Sequence, residues 1–268
     1  MLQAASRGPI TRIHLARTVL GRPLRTVDAY LVDGLLIESG PPATASEMVN
    51  WCRKQDIRQV VNTHHHEDHS GGDYGLQTCL ALPVAAPSET VALLRDAPRL
   101  EFYRRLVWGQ PEDVDLRSLG SSVETPGYRF RVIPTPGHST DHVCFFEPEE
   151  RWLFSGDLFI HERARYLRVD EDAHQILASL RRVLALRPRL LVCSHAGFVE
   201  DGCSAIERKI AYWEGLAKQA RMLRESGWSL KEITEALLGR EGLPTRLSRG
   251  HFSKRNLLNS LLAETQTE

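Results

Sequence analysis

Thr63-His64-His65-His66-Glu67-Asp68-His69 places four histidines and two carboxylates within seven residues. Neutral imidazoles and carboxylates are donors for transition metals, and this mixture favours zinc, iron or manganese over calcium or magnesium. Burying such a run without partners would strand several polar groups at high cost. The alternative is a histidine-rich surface loop, and the preceding residues argue against it. Ile57-Arg58-Gln59-Val60-Val61-Asn62 reads as a short buried strand. Side chains alternate along a strand, so His64 and His66 share one face while His65 takes the other. Asp68 and His69 follow on a turn, and Ser70-Gly71-Gly72 gives the backbone freedom to bend there. Two pairs of donors therefore leave one strand end at different heights, which suits two neighbouring metals better than one.

Three later segments each deliver one more donor. Pro134-Thr135-Pro136-Gly137-His138 closes an apolar stretch with a histidine on a tight turn. Leu153-Phe154-Ser155-Gly156-Asp157 is a strand ending in Gly-Asp, and Leu190-Leu191-Val192-Cys193-Ser194-His195 is a strand tipped by histidine. Strand ends are where layered α/β folds carry their ligands and catalytic groups.

This order of motifs resembles the metallo-β-lactamase-fold hydrolase superfamily: His-x-His-x-Asp-His, a Gly-His turn, Ser-Gly-Asp, then a strand-terminal histidine. The resemblance runs over roughly residues 10–200 and fills all seven ligand positions. It implies an α/β fold, a four-layer αββα sandwich with a dinuclear site at one edge of its sheets. It further implies that His64, His66 and His138 hold one metal, that Asp68, His69 and His195 hold the second, and that Asp157 bridges them. Asp28-Ala29-Tyr30-Leu31-Val32-Asp33-Gly34 looks like the family's opening hairpin. Glu38-Ser39-Gly40 departs from it, since many members carry Asp-Thr-Gly there; the position is not a ligand.

Two divalent ions, zinc first and iron or manganese next, are the implied cofactors. Such a pair about 3.5–4 Å apart brings the pKa of a shared water towards neutrality and so furnishes a bridging hydroxide. Asp68 is the expected catalytic carboxylate, orienting that nucleophile and passing a proton to the leaving group. His65 is expected to pack or face solvent, and Glu67 to be solvated or to support a ligand. His142 is either a partner of a ligand or a neutral core histidine. Ser155 and Ser194 show no nucleophile elbow. His161, Arg163, Arg165 and Tyr166 follow Asp157 on an expected loop over the site. Of these His161, Arg165 and Tyr166 are the candidate substrate contacts, although a charged loop is more often simply exposed.

Composition bounds the rest. The chain has 268 residues, enough for a full core, with 34 basic and 34 acidic side chains and hence a formal net charge of zero. No overall field favours nucleic acid or an acidic membrane. Five cysteines form no CxxC pair, and Cys144 and Cys193 read as small core residues in a reduced, cytoplasmic protein. Met1-Leu2-Gln3-Ala4-Ala5-Ser6-Arg7-Gly8-Pro9 has no apolar leader segment and no stretch reaches membrane-spanning length.

Two regions are expected: a catalytic domain at residues 1–202 and a C-terminal helical extension at 203–268. In the first, helices are read near residues 46–55 and 172–186. Residues 88–120 form a helical insert, with Ser88 as its N-cap and Pro98 and Pro111 as interruptions. Its apolar Leu100, Phe102, Tyr103, Leu106, Val107 and Trp108 suit a lid beside the site or a satellite core. In the second, Ile206, Ile210, Trp213, Leu216, Ala217 and Ala220 recur at helical spacing up to Gly227. Ser229-Leu230-Lys231-Glu232 reads as a capping box, residues 239–250 as a turn region, and Ser253 as the cap of a final helix. The appendage resembles that of β-lactamase-like endoribonucleases; it would line the substrate entrance, form a dimer surface, or cover sheet edges.

An aspartate at the bridging place resembles the esterase, thioesterase, lactonase and nuclease branches more than true β-lactamases. Hydroxyacylglutathione hydrolase has a similar ligand set, but the loop after Asp157 departs from its glutathione-binding pattern, and from that of the mono-iron persulfide dioxygenases. Hydrolysis of a small ester, thioester or lactone is the favoured expectation. Cleavage of single-stranded RNA is the alternative, allowed by Arg163, Arg165 and Arg168 but given little support by a net charge of zero. A non-catalytic binder on this fold would be expected to lose ligand positions, and none is missing.

Overall fold

Alternating apolar residues build the first sheet. In the computed structural model, which describes residues 1–19, 21–95 and 100–263, β1 (Leu2–Arg7), β2 (Ile10–Val19), β3 (Arg22–Val32) and β4 (Leu35–Ile37) form an antiparallel meander. β5 (Gln59–Val61), β6 (Val84–Ala86) and β7 (Arg117–Ser118) add in parallel, giving seven strands in chain order. The second sheet contains β8 (Ser122–Glu124), β9 (Arg129–Pro134), β10 (Val143–Glu147), β11 (Trp152–Gly156), β13 (Leu190–Cys193) and β14 (Gly197–Glu200). Its order is β14-β13-β11-β10-β9-β8. β12 (Leu167–Arg168) and β15 (Phe252–Ser253) pair separately.

Period-two patterning gives each sheet two buried faces. Tyr30, Ile37 and Val61 of the first sheet meet Phe130, Phe145, Phe154 and Val192 of the second in the central layer. The other face of the first sheet is covered by α1 (Ala45–Cys52), α3 (Asp73–Leu80) and α4 (Ser88–Leu94) through Met48, Cys52, Leu76 and Leu94. The other face of the second is covered by α6 (Ala173–Leu184), α7 (Gly202–Glu225), α8 (Leu230–Leu238) and α10 (Lys254–Leu262). The result is the four-layer αββα sandwich, with C-terminal helices built into one outer layer. The short helix α2 (Glu67–Ser70) carries two of the donors, α5 (Phe102–Val107) lies beside it through Arg104 and Glu67, and α9 (Leu243–Leu247) is a further short helix.

Helix signals read from sequence are met at most ends. Asp172 caps α6, Ser229 and Glu232 form the reciprocal capping box of α8, and Ser253 caps α10. Two differ. Ser88 is the first residue of α4 rather than its cap, because Pro87 ends β6 in an extended conformation and takes the cap position without a side-chain bond. Residues 239–250 are not all turn: Pro244 sits in the first turn of α9, where its missing N–H costs nothing. The interruption expected at Pro98 lies outside the described residues. No helix among the described residues is long and apolar enough to cross a membrane.

Candidate metal centre

β5, β9, β11 and β13 end at one edge of the sandwich, and each hands its last residues to the same place. His64 and His66 follow β5, with Asp68 and His69 on α2 directly after. His138 follows β9, Asp157 follows β11, and His195 follows β13. Two glycines make the convergence possible. Gly137 lies at φ +129°, and a Cβ there would come within 2.4 Å of the Ile176 nitrogen. Gly156 lies at φ +45°, and a Cβ would meet Thr63 Oγ1 and His142 Nε2 at 2.7 Å.

All seven sequence-derived donors come together in two groups. In the first, His64 Nε2 is 2.7 Å from His66 Nδ1, which is 3.0 Å from His138 Nε2. In the second, Asp68 Oδ2 lies 3.8 Å from His69 Nε2 and 3.5 Å from His195 Nε2. Asp157 touches both groups: Oδ1 is 3.4 Å from His69 Nε2 and 3.3 Å from His195 Nε2, while Oδ2 is 3.3 Å from His138 Nε2. Within each trio the donor atoms lie within 4.8 Å of one another, close enough for each trio to hold one ion.

The residues fit a cation on their own chemistry. The Thr63 hydroxyl donates to Glu38 and the Glu171 carboxylate can only accept, so the protons of His64 and His138 sit on Nδ1 and both Nε2 atoms turn lone pairs towards His66 Nδ1. His69 Nε2 and Asp157 Oδ1 are buried with no hydrogen-bond partner, a cost that coordination removes. Burial, with neighbouring rings adding to it at His64 and Arg168 and then neighbouring rings at His66, drives the protonation of both well below the ordinary histidine range. Burial acts the same way on His69 and His195, yet Asp157 and Asp68 outweigh it and hold both well above that range. Burial also opposes the charge of Asp157, and the rings of His195, His69 and His138 outweigh it.

Four of the five rings have a polar group behind them. His64 Nδ1 is 2.8 Å from Thr63 Oγ1, His69 Nδ1 is 3.2 Å from Glu38 Oε1, His138 Nδ1 is 2.6 Å from Glu171 Oε1, and His195 Nδ1 donates to the Thr26 carbonyl at 2.9 Å. The contacts of His64, His138 and His195 set the tautomers that aim Nε2 inward, while His69 Nδ1 faces the Glu38 carboxylate without a formed hydrogen bond. Glu38, His64 and His69 also bring donors within 4.8 Å, but on the outward Nδ1 side, where the Glu38 carboxylate also accepts from Thr63 Oγ1 at 2.5 Å. That carboxylate therefore orients rather than completes the centre. Neither Glu38 nor Glu171 was picked out from sequence as touching a ligand. Only the acidic residue in the Glu38-Ser39-Gly40 turn offered a signal.

The neighbouring candidates sort by contact. His142 is a neutral core ring and a ligand's partner at once: its Nε2 accepts from the Asp157 N–H at 3.1 Å, Nδ1 meets Thr135, and burial pushes it down to about 3. His65 turns away from the centre, as alternation predicts, and its N–H and ring engage buried Asp141 at 2.8 and 3.0 Å. Glu67 is not solvated; it is buried and pairs with Arg104 of α5. His161, Arg165 and Tyr166 make no hydrogen bond to the seven donors among the described residues. Their loop is drawn onto α7 instead, by Lys209 on the Leu158 and Phe159 carbonyls and Trp213 Nε1 on that of Ala164. Tyr166 stacks on Phe252. The residue of this segment that does reach inward is Arg168, its Nη1 3.4 Å from His66 Nδ1 and Nη2 3.1 Å from the His138 carbonyl.

The sequence profile of the metallo-beta-lactamase superfamily matches residues 22–195, more than half of the chain. The chain belongs to this superfamily. A hydroxyacylglutathione hydrolase from Bdellovibrio bacteriovorus is 29% identical over 157 residues, 58% of this chain and 56% of that enzyme. An atrochrysone carboxyl ACP thioesterase from Aspergillus fumigatus is 27% identical over 209 residues, 73% of this chain and 60% of the relative. The chain thus spans little more than half the length of this hydroxyacylglutathione hydrolase. A metallo-beta-lactamase family protein from Thermus thermophilus shares the fold, with a TM-score of 0.66 and 21% identity across 96% of this chain and 94% of that one.

Proposed function

We propose that this superfamily member is a dinuclear metal-dependent hydrolase, acting in the cytoplasm on a small thioester, ester or lactone. One observation carries the reading: the two oxygens of Asp157 face different donor trios, Oδ1 towards His69 and His195 and Oδ2 towards His138. A carboxylate so placed fits two ions and sets their separation. His64, His66 and His138 would hold the first ion; Asp68, His69 and His195 would hold the second. Bound there, zinc ions (or iron or manganese) would activate water near neutral pH and polarise the scissile carbonyl.

The protein's own groups supply the rest. Glu171, Glu38, Thr63 and the Thr26 carbonyl hold the rings in position, so the donors need not reorganise during turnover. Asp68 is the one carboxylate of the second trio that is not shared, and in this reading it orients the attacking water and returns a proton to the leaving thiol or alcohol. The names of the relatives, a hydroxyacylglutathione hydrolase and a thioesterase, support a thioester before the other two classes.

Elemental analysis joined to a panel of thioesters, p-nitrophenyl esters and lactones tests the reading. About two metals per chain and thioester turnover are expected. Asp157→Ala should lose at least one metal and nearly all turnover. A variant that kept two metals and full rate would show the bridging assignment to be wrong.

A further inference from the structure

Arg168 brings a guanidinium against the first trio, although that trio is suited to a cation of its own. Its side chain is 12% exposed, and each nitrogen has a definite neighbour. Nε donates to Asp170 Oδ1 at 3.1 Å, Nη2 donates to the His138 carbonyl at 3.1 Å, and Nη1 lies 3.4 Å from His66 Nδ1. Nη2 is also 3.7 Å from Glu171, the carboxylate behind His138. The Arg168 N–H donates to Glu171 Oε2 at 2.8 Å, so backbone and side chain hold the residue together.

The Nε and Nη2 contacts explain a positioning role. They brace Asp170 and His138, and a neutral amide could serve the carbonyl as well. Nη1 has no part in that. His66 Nδ1 cannot accept from Nη1 and hold an ion with the same lone pair. In the loaded centre Nη1 therefore keeps N–H groups beside the trio, with no other acceptor among the described residues. A donor sheltered from water and left unpaired is costly, and a like charge beside a metal ligand adds to the cost. Both are offset by an oxygen that gains negative charge between Nη1 and the trio.

The free nitrogen also selects the kind of oxygen. A carboxylate or phosphate is gripped by two parallel N–H groups of one guanidinium. Nε and Nη2 are already committed, so Arg168 offers a single point. That suits one oxygen, such as the carbonyl oxygen of an acyl group under attack.

Resting on the hydrolase reading above, we propose that Arg168 is a catalytic residue whose Nη1 donates to the substrate carbonyl oxygen as it becomes an oxyanion. Attack of water on the acyl carbon forms a C–O bond and moves the carbonyl electron pair onto that oxygen. Collapse re-forms the carbonyl and breaks the C–S bond, and the proton released by water goes to the leaving thiolate. One thioester and one water become a carboxylic acid and a thiol. The guanidinium stays charged throughout.

The test compares wild type, Arg168→Met and Arg168→Lys as full-length proteins at saturating zinc, with S-acetyl-N-acetylcysteamine as substrate and zinc content measured in each. Loss of one oxyanion donor costs about 100- to 1,000-fold, so kcat should fall by that much in Arg168→Met, with KM changed less than about threefold. Arg168→Lys should recover about tenfold of the loss. Calorimetry gives a readout free of turnover. Methylphosphonate, a tetrahedral oxyanion, should bind Arg168→Met about 10- to 100-fold more weakly than wild type, while N-acetylcysteamine, the product thiol, binds both alike. Equal kcat, or equal affinity for methylphosphonate, would overturn the proposal. So would a fall in zinc content that matches the fall in rate, since Arg168 would then act only through His138. A raised KM at constant kcat would overturn it in favour of simple substrate binding. Absence of turnover by the wild type would bring down the hydrolase reading itself and this inference with it, an outcome distinct from turnover that the substitution leaves untouched.

Discussion

Glu171 shows how much of the centre depends on residues that hold no metal. Its Oε1 lies 2.6 Å from His138 Nδ1, and Arg168 beside it holds the His138 carbonyl. Glu171→Gln keeps an acceptor but removes the charge that fixes the ring, so zinc affinity at the three-histidine trio should fall about 10- to 100-fold. Competition against a chromophoric chelator measures this, and unchanged affinity would refute the orienting role. Lys209 gives a second prediction. It is buried, donates to the Leu158 and Phe159 carbonyls, and faces the rings of Phe159 and Trp213, and the charges of Cys193, Glu171 and Asp157 favour its ammonium form. Burial pushes its ammonium down to about 8, below its ordinary 10.5. Between those values the unfolded chain holds a proton that the folded chain has released, so stability rises with pH in that window. Below about 8 both states are charged, and the burial cost stays constant. Urea unfolding at pH 7 and pH 9.5 should therefore show wild type gaining on Lys209→Met at the higher pH; a gap independent of pH would contradict the assignment. The seven donors were legible in sequence because each ends an apolar strand, a local signal. Glu171 stands 33 residues after His138 with no pattern linking them, and the docking of the start of α6 on the Gly137 turn, with Asp172 N–H donating to the Gly137 carbonyl at 2.8 Å, brings it there.

Elements differ in the same way. Long helices and strands announce themselves by period, and α6 and α7 follow their sequence signals closely. β7, β12 and β15 have two residues each, too few for any period; β7 forms on the free edge of β6, and β12 and β15 form only by pairing with each other. The insert at 88–120 was open between lid and satellite core, and its residues divide the two roles. Trp108 and Val114 pack on the helical face of the first sheet. Tyr103 and Arg104, one turn earlier, reach the mouth of the centre. That division makes the Arg104–Glu67 pair the fastening of α5. With Glu67 buried, Arg104→Ala leaves a carboxylate without its counter-ion, at a cost of roughly 3 kcal/mol because the acid can take up a proton instead. Amide hydrogen exchange across Phe102–Val107 should accelerate in this variant while α6 amides stay protected, and equal protection of α5 in both proteins would show that it is anchored elsewhere.

Across the whole molecule, the division into residues 1–202 and 203–268 follows a change of pattern rather than a gap in packing. α7, α8 and α10 contribute Ile206, Trp213, Leu216, Ile233, Leu257 and Leu258 to the same apolar cluster as Leu153 of β11 and Leu191 of β13. A sheet face stripped of those helices would expose that cluster, so the C-terminal helices are expected to unfold with the sandwich and not before it. Trp213 is the sharpest probe. It is almost fully buried on α7, and its Nε1 donates to the Ala164 carbonyl in the loop that follows Asp157. Trp213→Ala opens a cavity and frees that carbonyl, costing about 3–5 kcal/mol. Denaturant unfolding followed by far-ultraviolet circular dichroism and by bound-zinc release should give one coincident transition, shifted down together in the variant. Zinc release that stayed at the wild-type midpoint while helix signal moved would show two independent units. Coincident transitions would mean that the helical layer, though it supplies no donor, holds the loop leaving Asp157 and shares its fate with the centre.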